Sequence, residues 1–171
     1  NIGIDMTVTA VLCLSHFEGG MELDSIKQTA LFNQYGLDSV LICRKNTFLE
    51  KMAKKEPFPT FTIDFTTKLS WSLIRGLRKL IKEKNISTLI FFGTSEIKSI
   101  YFAVKGLNCR VIVRHGSTMS SPKTDPIHRL FYSCVSDFVC ISRHLHHNAL
   151  DIFPCNEKQV HTIYNSIHTK V

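Results

Sequence analysis

A chain of 171 residues, 44% hydrophobic and 20% charged, has the composition of one folded domain with a single buried core, and this excludes a disordered polypeptide. No apolar run is long enough to span a bilayer, and no secretory signal is read before the first strand, so a cytoplasmic location is expected. The net charge of +7 points to an acidic partner, whether phosphate groups, anionic lipid or nucleic acid.

Residues 1–5 fit no periodic pattern and read as a vector-derived scar, with native sequence starting at or near Met6. Strand candidates then follow at Thr7–Leu14, Ser39–Cys43, Thr60–Ile63, Thr88–Phe92, Arg110–Val113, Phe138–Ile141 and Val160–Ile163. Helical patterns lie between them at Glu22–Gln34, Leu69–Lys84, Glu96–Lys105, Pro126–Cys134 and Arg143–Ile152, with Gly36 and Gly106 as stops. Most strand runs are continuously apolar, which suits a sheet covered on both faces by helices. The alternation implies right-handed crossovers and a three-layer, Rossmann-like α/β domain with a mainly parallel sheet of about seven strands.

In such a sheet, ligands bind outside the carboxyl ends of the strands. Four segments fall there: Ser15 to Glu22 with its Gly19-Gly20 pair, Phe92-Gly93-Thr94-Ser95, Arg114-His115-Gly116-Ser117, and Ser142-Arg143. Paired glycines let the backbone approach a ligand and leave the first N–H groups of the next helix facing the gap; they also serve in plain tight turns. His115 is placed to hydrogen-bond a sugar hydroxyl or a reacting group, or to satisfy a backbone carbonyl as a loop histidine. Arg114 suits a phosphate or carboxylate, or a solvated surface. Ser142 caps a helix whose N-terminus can also hold an anion.

His144 and His147 share a helix face that His146 does not, and no metal site is expected there. The six cysteines form no CxxC pair and read as free thiols in a reducing compartment. Leu69–Lys84 carries an apolar stripe with Trp71 and flanking Arg75, Arg78, Lys79, Lys82 and Lys84. It serves either as a crossover helix packed on the sheet or as a membrane-surface helix. Met119 to Tyr132, broken by Pro122 and Pro126, reads as a mobile loop feeding a short helix beside His115.

The order of motifs resembles the N-terminal half of a GT-B glycosyltransferase of the retaining GT4, or group 1, kind. The matching pieces are Gly19-Gly20-Met21-Glu22, Val113-Arg114-His115-Gly116, Ser136-Asp137-Phe138-Val139-Cys140-Ile141-Ser142, and Val160-His161-Thr162-Ile163-Tyr164-Asn165-Ser166-Ile167. Ser166 and His168 depart from the glycine and aspartate usual in that family's last motif.

The resemblance implies that residues 6–171 form the acceptor-binding domain, ending at a hinge near Asn165, with the C-terminal donor domain lying outside this chain. It implies that Gly19 and Gly20, with Arg114 and Ser142, lie where acceptor and donor diphosphate meet, and that His115 is the catalytic histidine reaching the transferred sugar. No cofactor is implied beyond the nucleotide-sugar cosubstrate, and the chain alone is expected not to transfer sugar. The expected acceptor is a cell-surface glycan or lipopolysaccharide-type precursor at an anionic membrane, on its inner face.

Two other readings stand beside it. A stand-alone Rossmann-like nucleotide-binding or regulatory module is opposed by the lack of GxGxxG after the first strand and of an acidic residue closing the second. A nucleic-acid-binding module is supported by charge alone, lacking an aromatic platform or helix-turn-helix, so no nucleic-acid partner is expected.

Overall fold

The aliphatic and β-branched runs pair into one sheet in a computed structural model that describes residues 6–164. In chain order the elements are β1 (Val8–Cys13), α1 (Gly20–Gln34), β2 (Ser39–Arg44), α2 (Phe48–Ala53), β3 (Thr60–Ile63), α3 (Trp71–Glu83) and β4 (Ile86–Phe92). Then come α4 (Ile97–Val104), β5 (Arg110–His115), α5 (Pro126–Tyr132), β6 (Val135–Cys140), α6 (Arg143–Ile152), a 3₁₀ turn at Glu157–Gln159, and β7 (Val160–Thr162). The strand order is β3-β2-β1-β4-β5-β6-β7, and every pairing is parallel. The fold is the expected three-layer, Rossmann-like α/β domain.

Alternating side chains send each strand to two cores. Ala10, Leu12, Leu89, Phe91, Val111 and Val113 pack under α3 to α6, against Leu73, Leu77, Ile100, Tyr132, Leu145 and Ala149. On the opposite face, Val11, Cys13, Leu41 and Cys43 pack against Ile26 of α1 and Leu49 and Ala53 of α2. Here the cover stops short. Ile90, Ile112 and Val139 stay half-buried and line an apolar groove of about 260 Å³ beside Phe32. Burial on both faces, expected for the whole sheet, is complete only for β1 and β2 among the described residues.

The helix starts follow from their caps. Ser70, Asp125 and Ser142 each accept the N–H of the third residue on, and Pro126 occupies the first turn of α5, where its missing N–H costs nothing. The helix α2 escapes the sequence reading, although Thr47 accepts from Glu50 N–H and the Glu50 carboxylate accepts from Asn46 N–H. All six cysteines are free, and burial pushes the Cys13 thiol up to about 11.

The chain builds outward from β1 to β3 and then reverses, from β4 to β7. That reversal opens a crevice between the carboxyl ends of β1 and β4. The pairings Leu12↔Phe91, Phe92↔Arg114 and His115↔Cys140 bring the ends of β1, β4, β5 and β6 side by side.

Candidate functional site

A cleft of about 370 Å³ occupies this position, lined by Gly20, Met21 and Asp24 of α1, Gly93 and Thr94 after β4, and Arg114 to Ser117 and Met119 around the end of β5. Three of the four strand-end segments read from the sequence meet here.

The glycine loop is organised from below by Glu22. That carboxylate is buried, accepts from the Ser15 hydroxyl, and lies so near Gly19 that an added Cβ would stand 3.1 Å from Oε2. Gly19 is therefore small because of its own helix. Gly20 is different, since a Cβ there would meet nothing within 4 Å. Packing does not explain that glycine, which is exposed and is one of the residues lining the cleft. Across the gap, Gly93 holds φ +136°, a left-handed-side backbone that favours glycine and turns the chain away from β4.

His115 is the last residue of β5 rather than a loop residue, and it is 2% exposed. Its Nε2 lies 2.8 Å from Asn148 Oδ1. Asn148 Nδ2 donates to the Met119 carbonyl at 2.8 Å, and its Oδ1 also accepts from Met119 N–H at 3.0 Å. The oxygen is thus the end facing the ring, so His115 Nε2 carries the proton and donates. Burial lowers the histidine's pKa below its ordinary value, and the Asn148 bond offsets part of that. The ring is neutral at physiological pH, with Nδ1 as an acceptor. The edge of Phe153 packs on it, ring centroids 5.2 Å apart.

Arg114 is neither free nor solvated. Its Nη2 donates to Asp24 Oδ2 at 3.0 Å, and the guanidinium lies 4.6 Å from the centre of the Phe92 ring. The Asp24 pair fixes the fork at the cleft wall while leaving further N–H donors for an anion. Ser142 does the capping work read from its position, its Oγ accepting from Leu145 N–H at 3.2 Å. It is not among the residues lining the cleft; its neighbour Ile141 is. Asn165 lies outside the described residues.

The segment after β5, expected to be mobile, is tied to α6 at two points: Asn148 holds Met119, and Lys123 N–H donates to the Ile152 carbonyl at 2.8 Å. His144 pairs with Thr118, and His146 with Thr162. Asp137 stands away from the cleft, where Arg110 and His161 both donate to it, joining β5, β6 and β7. Burial raises its pKa, but these hydrogen bonds outweigh that and bring it down to about 2. Asp24 and Asn148 are the site residues the sequence did not single out.

The fold and cleft define a doubly wound α/β domain with a polar site at its switch point. No protein-family model and no curated sequence matches the chain. Solved structures do. A glycosyltransferase from Rickettsia africae aligns over 94% of this chain and 44% of its own, at 15% identity and a TM-score of 0.76. The lipopolysaccharide outer core galactosyltransferase WaaB aligns over 96% and 47%, at 14% identity and 0.72. Anabaena HepE in complex with UDP aligns over 94% and 44%, at 10% identity and 0.69. UDP-N-acetylglucosamine 2-epimerase from Rickettsia bellii shares the fold at 10% identity over 92% and 44%, with a TM-score of 0.62. The chain spans less than half the length of each. Its Rossmann-like fold is that of one half of these GT-B proteins.

Proposed function

We propose that these residues form the acceptor-side, N-terminal half of a retaining, GT4-type glycosyltransferase. It moves a hexose from a nucleotide-sugar to a cell-surface glycan or lipopolysaccharide-type acceptor. The observation that carries this reading is one cleft lined by both Gly20 and a neutral, buried His115, at the switch point of a fold matched by half of each glycosyltransferase.

In this reading the Gly19-Gly20 backbone and the uncapped N–H groups opening α1 receive the donor diphosphate, where the helix dipole favours negative charge. Arg114, held by Asp24, adds a fixed cation beside it. His115 sits at the cleft floor and accepts a hydrogen bond from a hydroxyl of the transferred sugar through a neutral ring. Ser142 holds the start of α6 at the carboxyl end of β6. The nucleotide-sugar is a cosubstrate, no resident cofactor is involved, and a second α/β domain, reached through a hinge near Asn165, holds the nucleotide. The enzyme works in the cytoplasm, on an acceptor presented at the inner face of the membrane.

The epimerase neighbour supports a second reading, in which the nucleotide-sugar is rearranged without any acceptor. Incubating the full-length gene product with UDP-sugars, with and without glycan acceptors, separates the two. Acceptor-dependent release of UDP supports transfer, and an acceptor-independent change in the UDP-sugar supports epimerisation.

A further inference from the structure

Beneath the cleft, one buried polar atom does nothing for the fold. Tyr132 closes α5 and is 4% exposed, its ring packed against Phe138 and Phe153 with centroids 6.3 and 5.3 Å away. Its hydroxyl oxygen is buried and finds no hydrogen-bond partner among the described residues. A buried tyrosine hydroxyl usually has one, because stripping water from an unpaired hydroxyl opposes folding. The other such side-chain oxygen, on Thr60, belongs to the first residue of β3, away from the carboxyl strand ends that form the cleft.

The Tyr132 hydroxyl faces the side chain of Thr94. Burial raises its pKa, and the Thr94 hydroxyl beside it offsets part of that rise, so the phenol keeps its proton at physiological pH. Thr94 follows Gly93 at the end of β4; it is half-buried and lines the cleft. Its Oγ1 is turned to Met119 Sδ at 3.9 Å, a weak acceptor, and Asn148 holds Met119 there. Thr94 thus stands between a buried donor and the cleft. The pair is also close to His115, since the Phe153 ring that packs on Tyr132 packs on the imidazole as well.

We propose that Thr94 and Tyr132 form a relay that binds one hydroxyl of a sugar ring in the cleft. Thr94 turns from the Met119 sulphur, its Oγ1 accepts from Tyr132 O–H, and its own O–H donates to the sugar oxygen. Thr94 is the binding residue. Tyr132 is the positioning residue, fixing the direction in which the threonine hydroxyl donates. Both groups are uncharged, as is the ring of His115, and such a set suits a sugar hydroxyl rather than a phosphate. The relay rests on the sugar-transfer reading. Its ring is that of the nucleotide-sugar or of the glycan acceptor, which share this chemistry.

Tyr132→Phe separates this role from a structural one, since deleting a hydroxyl that pairs with nothing costs no stability. Its urea midpoint is expected at or above the parent's, at unchanged slope. The full-length gene product is titrated by calorimetry with UDP-glucose, UDP-galactose and GDP-mannose, each beside its bare nucleoside diphosphate. The KM for a core oligosaccharide cut from lipopolysaccharide is measured by diphosphate release. Tyr132→Phe and Thr94→Val are each expected to weaken one sugar ligand about two- to ten-fold, the net worth of one hydrogen bond, with the bare nucleotide unaffected. Thr94→Ser keeps the hydroxyl and is expected to retain the parent's affinity. Weaker nucleotide-sugar binding assigns the relay to the transferred sugar, and a raised oligosaccharide KM alone assigns it to the acceptor. A lower urea midpoint for Tyr132→Phe, or sugar affinities that neither variant changes, would overturn the relay and leave sugar transfer standing. A parent that binds no nucleotide-sugar would overturn the sugar-transfer reading itself, and the relay with it.

Discussion

Asn148→Ala is the sharpest probe of how the cleft is built. The substitution removes three hydrogen bonds at once, from His115 Nε2–H, to the Met119 carbonyl, and from Met119 N–H. The imidazole N–H is left without a partner in a residue 2% exposed, a loss of about 1–3 kcal/mol. Met119 is half-buried, so water can replace much of its loss, at about 0.5 kcal/mol for each of two bonds. The sum is about 2–4 kcal/mol, read as a lower urea midpoint at unchanged denaturant slope. His115→Phe removes the stranded donor, so the double variant is expected to lose less than the two single losses added together, with a coupling of at least about 0.5 kcal/mol. An Asn148→Ala protein within about 0.5 kcal/mol of the parent, or a strictly additive pair, would refute the claim that Asn148 anchors both ring and loop.

Gly20→Ala is expected to leave stability unchanged or raised by up to about 1 kcal/mol, since its Cβ meets open space at the first turn of a helix. The same change is expected to weaken nucleotide-sugar binding in the full-length gene product, measured by calorimetry. Asp137 has its pKa lowered to about 2, so its stabilisation is full above the unfolded carboxylate value and lost as the pH falls. Urea midpoints between pH of about 4 and 2 are expected to fall for the parent and to change less for Asp137→Asn. His115 has a lowered pKa, so below about pH 6.5 the unfolded chain takes up a proton before the folded one and stability declines. His115→Phe is expected to flatten that part of the pH profile.

The sheet was legible because its strands are apolar runs separated by helix-length segments with clear caps. What the runs could not show was polar residues recruited into strands. The first residues of β6, Val135-Ser136-Asp137, break the apolar pattern, yet they belong to the ladder because Arg110 and His161 satisfy Asp137 from the strands on either side. The strand-end loops and His115 were found from position alone, since a parallel sheet gathers those ends. The residues that set their chemistry were hidden by distance along the chain: Asp24 meets Arg114 across 90 positions and Asn148 meets His115 across 33. Neither pair has a local pattern. The helix α2 did have one, Thr47 followed three residues on by Glu50, and its shortness concealed it.

The central claim is that the cleft beside Gly20 holds the meeting point of donor and acceptor. Its most direct test is acceptor-dependent release of nucleoside diphosphate from nucleotide-sugars by the full-length gene product and by its Gly20→Trp variant. The account predicts release that needs a glycan acceptor and disappears when tryptophan fills the cleft, with the urea midpoint maintained. Release that ignores the acceptor, or that survives Gly20→Trp undiminished, would contradict it.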